Sequence, residues 1–247
     1  MDFEKYSQET LAEICSELNI SPERNKERTI CKILDSLANK SDRSKSNLTV
    51  HRYKKLKTIG KGKEGTVYDV EDEGGEGDTP GLVMKCFRRN KSSKDLILES
   101  ELQKKATREG VAPVIREVNT LEKYIVMDKL DRSILSHMKA NNGRLSEYYQ
   151  KQIINLFKKL DRCHVFHGDA NIANYMLKKN RVYLIDYGMS KLITDSLVRK
   201  LGTPTPNLHI MTLGLILKLK EIKSDPFSYS YLKTFLTEEQ LNRFQID

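Results

Sequence analysis

Three glycines followed at once by a strand pattern limit the folds open to this chain. Gly60, Gly62 and Gly65 are spaced as GxGxxG, and the sequence continues as TVYDV. In dinucleotide-binding folds the third glycine of this motif opens a helix whose N-terminus receives a pyrophosphate. TVYDV alternates and is rich in β-branched residues, which predicts a strand instead. The glycines therefore predict a turn between two strands, where a backbone without Cβ atoms can approach a phosphate closely.

The predicted elements after residue 50 change from strands to helices along the chain. Strands are predicted at 66–70, 82–87, 115–119 and 124–127, with a long acidic loop at 71–81 between the first two. Helices are predicted at 93–108, 133–141, 146–163 and 210–220. A short hairpin turning at Lys179-Asn180 interrupts the helices. Strands first and helices afterwards predict an α+β chain of two unequal lobes.

The first 49 residues have a different texture. Helical periodicity at 7–18 and 23–37, separated by the sequence NISP, predicts an N-terminal helical hairpin over residues 1–39. The polar, Ser-rich residues 40–49 predict a linker to a domain at 50–247. The hairpin loosely resembles small SAP-type modules that bind DNA or proteins, and the alternative is a hairpin docked on the main domain. Residues 1–48 carry 8 Lys/Arg against 9 Asp/Glu, so nucleic acid is not expected there and a protein partner remains an expectation.

Four motifs in chain order resemble those of the protein kinase superfamily. They are the glycine-rich turn, Lys85 in a predicted strand, the HGD sequence at 167–169 followed by Asn174, and Asp186 in DYG. The second half of this set matches the family's HxDxxxxN catalytic loop and its DFG element. The resemblance implies a bilobal protein-kinase-like fold, with a β-rich small lobe at 50–128 and a truncated helical large lobe at 129–247.

The resemblance also implies roles for the charged residues. Lys85 would neutralise the α- and β-phosphates of ATP and pair with a carboxylate of the next helix. Glu99 and Glu101 are both candidates, but they cannot both face Lys85 because residues two apart on a helix diverge by about 200°. Glu99 is favoured because it begins a string similar to the αC helix of small, divergent kinases.

The catalytic-loop residues would carry out the transfer itself. Asp169 would orient the acceptor hydroxyl and accept its proton. Asn174 and Asp186 would supply the oxygen ligands of Mg²⁺, with Mn²⁺ as an alternative metal. Asn171 stands where conventional kinases have a lysine, and its amide could donate to the γ-phosphate or hold Asp169.

A set of mostly apolar residues would enclose the nucleotide. The adenine would pair with the backbone of the inter-lobe hinge and lie between apolar side chains above and below it. The expected hinge is Met127, Asp128, Lys129 and Leu130, with Met127 as the gatekeeper; Ile59 and Val67 would cover the ring from above and Leu177 from below.

Departures from conventional kinases bear on the substrate. HGD lacks the arginine of HRD, so control by a phosphorylated activation segment through the usual charge pairing is not expected. His209 falls where many kinases have an aspartate that anchors the following helix. The compact HGD-type pattern is similar to kinases of large DNA viruses and to RIO and tRNA-modification-associated kinases, which implies a serine/threonine protein kinase. The alternatives are a small-molecule kinase of the aminoglycoside or choline type and a nucleotide-binding pseudokinase scaffold.

Bulk properties fit an intracellular protein. Four separated cysteines without a CxxC pair predict buried thiols in a reducing compartment, either cytoplasmic or nuclear. The longest apolar run, 211–217, is too short to cross a membrane, and the polar N-terminus does not resemble a secretory signal. The net charge of +9 is spread over the larger domain and suits a phosphate-bearing ligand or an acidic protein substrate. A virus-encoded protein, packaged or acting in the host cytoplasm, is an expectation from the resemblance.

Overall fold

The computed structural model describes residues 7–17, 20–23, 25–26, 29–30, 32–33, 53–73 and 81–246. The chain divides into two compact units, Met1–His51 and Arg52–Asp247. The predicted linker at 40–49 and most of the predicted acidic loop lie outside the described residues. In the part of the chain that is described, no helix combines the length and the apolar character needed to cross a bilayer.

The first unit contains one fully described helix, α1 (Gln8–Glu17). Leu11 and Cys15 lie one turn apart on it, and both are completely buried in a small cluster with Ile33. The second predicted helix, 23–37, is described only in part, and its described residues 26, 29, 30, 32 and 33 are helical. A helical segment thus packs on α1 through apolar side chains.

A five-stranded antiparallel sheet begins the second unit. Its strands are β1 (Tyr53–Lys61), β2 (Gly65–Asp72), β3 (Leu82–Phe87), β4 (Ile115–Asn119) and β5 (Tyr124–Asp128), in the order β1-β2-β3-β5-β4. Helix α2 (Ser93–Arg108) follows β3, and Ser92 caps its first turn by accepting a hydrogen bond from the Asp95 amide. Alternate side chains of β3 face opposite sides of the sheet. Val83 therefore packs with Leu96 of α2, whereas Met84 packs with Val126 on the other face.

Helices dominate the rest of the second unit. They are α3 (Ile134–Lys139), α4 (Glu147–Arg162), α5 (Asp195–Leu201), α6 (Thr212–Glu221) and α7 (Glu238–Arg243), with a π-helical turn at Asn207–Met211 before α6. Short strands connect them: β6 (Arg132–Ser133), β7 (Val165–Phe166), β8 (Tyr175–Lys178), β9 (Arg181–Leu184) and β10 (Lys191–Leu192). Phe157 and Leu160 of α4 and Leu215 of α6 are completely buried in the core of this lobe. The α+β prediction, with strands first and helices afterwards, is confirmed.

Candidate active site

Lys85 is the centre of an ion-pair cluster between the two lobes. Its Nζ lies 2.7 Å from Oε1 of Glu99 on α2 and 2.7 Å from Oδ1 of Asp186. Glu99 is buried, so its charge depends on such a partner. Glu101 is exposed and pairs with Lys104 at 2.7 Å instead. Of the two glutamates considered above, Glu99 is the one that faces Lys85.

The two carboxylates keep Lys85 charged. Burial acts to lower the pKa of the Lys85 ammonium, but Glu99 and Asp186 outweigh it and hold the pKa above its ordinary value. Burial likewise acts to raise the pKa of Asp186, and the Lys85 ammonium outweighs it in the opposite direction. Both groups are therefore ionised at neutral pH. Lys85 can then bind an anion, and Asp186 can bind a cation.

Asp169 is fixed through both of its carboxylate oxygens. Its Oδ2 accepts a hydrogen bond from Nδ2 of Asn174 at 2.9 Å, and its Oδ1 accepts one from the amide of Asn171 at 3.0 Å. The side-chain oxygen of Asn171 accepts from the Ala173 amide and caps the short 3₁₀ turn Ile172–Asn174. Because the NH₂ group of Asn174 donates to Asp169, the side-chain oxygen of Asn174 remains available to a ligand.

A buried neutral histidine supports the loop from below. His167 is completely buried, and burial lowers its pKa, which leaves the imidazole neutral at physiological pH. Its Nε2 lies 3.1 Å from the carbonyl oxygen of Ile185, and its Nδ1 lies 3.1 Å from the carbonyl oxygen of Asp169. The ring also packs edge-on against Tyr187, with ring centroids 4.9 Å apart, so His167 connects the segments of Asp169 and Asp186.

Asn207, rather than His209, anchors the helix before α6 to the catalytic loop. Asn207 accepts a hydrogen bond from the His167 amide, and its Nδ2 donates to Asp161 Oδ1 at 2.7 Å and to the Val165 carbonyl at 2.8 Å. Burial raises the pKa of Asp161, and the amides of Asn207 and Leu208 oppose that rise. His209 contacts Thr203 instead, at 2.8 Å. The anchoring contact is thus made two residues before the position noted in the sequence, within a π-helical turn that changes which side chain points inward.

Gly168 explains why the loop reads HGD. Its φ is +77°, and a Cβ at this position would lie 2.9 Å from the carbonyl oxygen of Met189. A left-handed backbone favours glycine, and the close approach excludes any side chain unless the segment of Met189 shifts.

Replacing Gly168 by Ala is therefore expected to lower the free energy of unfolding by about 2–3 kcal/mol and to displace Asp169. Denaturant unfolding measures the first effect. Gly143→Ala is the matched control, since Gly143 has a φ of +75° but nothing within 4 Å of its Cβ position. An equal loss in the two variants would show that the contact with Met189 has no cost.

The hairpin β8–β9 brings the two candidate metal ligands to one cavity. It turns at Lys179 and Asn180, both with positive φ, as a tight two-residue turn requires. Asn174 precedes the hairpin and Asp186 follows it, and both line the same cavity. Asp186 itself has a φ of +66°, a strained backbone that turns its carboxylate toward Lys85. An amide oxygen and a half-exposed carboxylate are hard donors, so these residues fit a magnesium-type cation.

An apolar cavity of about 170 Å³ lies between the lobes next to Lys85. Of the residues expected to enclose a nucleotide base, Ile59, Val67, Met127, Asp128 and Leu130 line it. Val83, Gln103, Pro113, Met176 and Ile185 line it as well and were not identified from the sequence.

Leu177 was expected at this cavity and does not line it. It is buried in the core of the large lobe, and its neighbour Met176 faces the cavity. Side chains alternate along a strand, so an error of one residue reverses the face. The pairing of β8 with β6 places Leu177 opposite Arg132 and Met176 opposite Ser133, a register that the sequence did not specify.

Two backbone amides of the hinge already form hydrogen bonds within the protein. The Asp128 amide donates to the Val114 carbonyl, and the Lys129 amide donates to the Gly81 carbonyl. The Lys129 side chain points away from the cavity, to Asp69 at 2.7 Å.

The three glycines of the first turn have different constraints. A Cβ on Gly65 would lie 2.0 Å from the Cys86 carbonyl oxygen, so glycine is required there by the close approach of β2 to β3. A Cβ on Gly62 would meet nothing within 4 Å, and one on Gly60 would make ordinary contact with Val67. The tip of the turn is therefore open, as access for a ligand requires.

These groups are the ones that phosphoryl transfer uses. An ammonium, a fixed carboxylate and two oxygen ligands for a metal meet beside an apolar cavity, under a glycine-rich turn. Transfer of this kind depends on positioning and charge, and both are provided here by contacts within the protein.

Comparison with known proteins agrees with this geometry. The protein kinase domain family matches residues 53–206. A "Probable bifunctional tRNA threonylcarbamoyladenosine biosynthesis protein" of Methanocorpusculum labreanum is 32% identical over 141 residues, which are 56% of this chain and 24% of that protein. A "Probable serine/threonine-protein kinase BUD32 homolog" of Archaeoglobus fulgidus is 25% identical over 147 residues, which are 59% of this chain and 70% of that protein. The chain belongs to the protein kinase domain family.

Proposed function

We propose that this protein transfers the γ-phosphate of ATP, held with Mg²⁺, to a serine or threonine hydroxyl of a protein substrate. The observation that carries the proposal is the state of Asp169. Both of its oxygens accept hydrogen bonds, from the Asn171 amide and the Asn174 side chain, so the direction of its remaining lone pairs is fixed, as a group that receives a proton from an acceptor hydroxyl requires.

The chain's own residues perform the steps around the transfer. Asp169 accepts the proton of the acceptor hydroxyl. At the same time the hydroxyl oxygen bonds to the γ-phosphorus, and the bond from that phosphorus to the β,γ-bridging oxygen breaks. Lys85, held by Glu99, offsets the charge of the phosphates. Asn174 and Asp186 would hold the metal, which would supply positive charge to offset the charge on the phosphate oxygens.

The apolar cavity supports ATP as the phosphate donor. Ile59 and Val67 from the small lobe and Met176 from the large lobe line it, which suits a flat base held between two apolar faces. The cavity also includes Lys85, so a base bound there would have its phosphates near the ammonium.

The name of one relative supports a hydroxyl of a protein as acceptor, since that relative is named as a serine/threonine-protein kinase homolog. The aligned regions leave much of the other relative uncovered, so the whole activity of that protein is not carried over to this chain.

Transfer from γ-labelled ATP tests the proposal. The protein is mixed with a cell-protein fraction, or with aminoglycosides and choline, in the presence of Mg²⁺, Mn²⁺ or EDTA. We expect metal-dependent label on protein, recovered as phosphoserine or phosphothreonine after hydrolysis. The protein with Asp186→Ala serves as the blank, because this substitution removes a metal ligand and one of the two carboxylates paired with Lys85. Label confined to a small molecule would contradict the protein acceptor, and nucleotide binding without any transfer would contradict the enzyme.

A further inference from the structure

A glutamate of the glycine-rich turn lies in the phosphate side of the site. One carboxylate oxygen of Glu64, Oε2, is 3.6 Å from Nζ of Lys85 and 3.4 Å from Nζ of Lys91. The same oxygen lies directly over Gly188, where a Cβ would come within 2.6 Å of it. A single anionic oxygen thus bridges two ammonium groups beside Asp186.

The Lys91 side chain is as buried as that of Lys85 and contacts the same glutamate. It is only 13% exposed, and its Nζ lies 2.9 Å from Oε2 of Glu99. The Glu99 carboxylate is therefore shared, one oxygen for each lysine. Both ammonium groups also lie over the ring of Phe87, at 4.8 Å for Lys85 and 5.3 Å for Lys91. Burial acts to lower the pKa of Lys91, but its contacts with Glu99 outweigh that effect, so Lys91 is a cation at neutral pH.

Three carboxylates share two ammonium groups in this cluster. Glu64, Glu99 and Asp186 have carboxylate oxygens within 4.8 Å of one another, and the two lysines lie among them. Glu99 lies buried on α2 and Asp186 follows β9, whereas Glu64 belongs to the turn between Gly62 and Gly65. Glu64 is thus the carboxylate that can leave without unfolding its surroundings.

We propose that Lys91 is a second phosphate-binding lysine, and that Glu64 fills the position between Lys85 and Lys91 until the β- and γ-phosphates of the nucleotide displace it. The inference rests on the proposed function, since it assigns a phosphate contact within that site.

Charge and geometry favour the exchange. A polyphosphate offers several oxygens and more negative charge than one carboxylate, so it gains more from two ammonium groups. Lys91 and Glu64 also line a solvent-open cavity of about 380 Å³ together with Lys63 and Gly188, so the displaced glutamate and the phosphates have space.

Equilibrium binding of adenosine, AMP and ATP to the full chain tests the exchange without relying on catalysis. Lys91→Met is expected to weaken ATP binding about tenfold, the worth of one charge-assisted contact, and to change adenosine and AMP binding by less than about twofold. Glu64→Gln is expected to strengthen ATP binding about threefold because a competing charge is removed from a half-exposed site. Lys104→Met is the control, since it removes an exposed lysine paired with Glu101 on the same helix.

The opposite signs of the two main effects separate this inference from simple damage. Weaker ATP binding in both variants, or equal losses for AMP and ATP in Lys91→Met, would overturn it. Normal adenosine and ATP binding with no effect of either substitution would overturn it while leaving the proposed function intact. Failure of the unaltered protein to bind ATP would overturn both.

Discussion

Replacement of Asp169 by Asn is expected to lower the rate of phosphoryl transfer about a thousandfold, as loss of a general base does. The neutral amide cannot accept the proton of the acceptor hydroxyl. It also meets the Asn171 amide and the Asn174 NH₂ group, both of which donate to the present carboxylate, so one of these donors would face a donor. ATP binding should change by less than about twofold, because the residues lining the apolar cavity do not include Asp169.

Initial rates of label transfer and a separate measurement of ATP affinity check this expectation. Asp195→Asn is the matched control, because it is the same substitution at an exposed position in the first turn of α5. If Asp169→Asn retains more than a tenth of the rate, another group removes the proton. If affinity and rate fall together, Asp169 holds the nucleotide rather than the acceptor.

The parts of the site that could be predicted are those fixed by local sequence. The turn at Lys179-Asn180 is encoded in the residues themselves, and it brings Asn174 and Asp186 to one cavity. The choice of Glu99 over Glu101 was a matter of helix geometry together with a likeness to other kinases, and only Glu99 of the two faces Lys85. Helix α2 begins at Ser93, directly after the capping residue Ser92. Such features need no knowledge of distant contacts.

The parts that were missed depend on contacts between distant segments. Leu177 and Met176 have the same apolar character, and only the pairing with β6 decides which faces the cavity. Asn207 forms its bonds 40 or more residues back along the chain, and nothing local marks it as an anchor. Lys91 looked like one more lysine in a Lys-rich chain, although it is held 2.9 Å from Glu99. Lys91 and Glu99 are brought together only by the fold, so their pairing cannot be predicted from local sequence.

Replacement of Asn207 by Ala is expected to lower the free energy of unfolding by about 3 kcal/mol, because it removes three buried hydrogen bonds at once. The amide of His167 and the carbonyl of Val165 would lose their partner, and Asp161 would keep only the backbone amides of Asn207 and Leu208. Urea unfolding monitored by circular dichroism measures the change. Asn155→Ala, an exposed position on α4, should change stability by less than about 0.5 kcal/mol.

The pH dependence of the Asn207→Ala variant identifies the cause of its loss. Burial already raises the pKa of Asp161 above 3.8, and removal of the Asn207 side-chain amide would raise the pKa further. The native variant would then bind a proton at pH values where the unfolded chain has released it, so its stability relative to the unaltered protein should fall as the pH rises above 3.8. A deficit that does not grow between pH 3.8 and pH 8 would mean that Asp161 does not share in it. A deficit that grows with pH would place the buried carboxylate, through Asn207, among the groups that hold the catalytic loop in position.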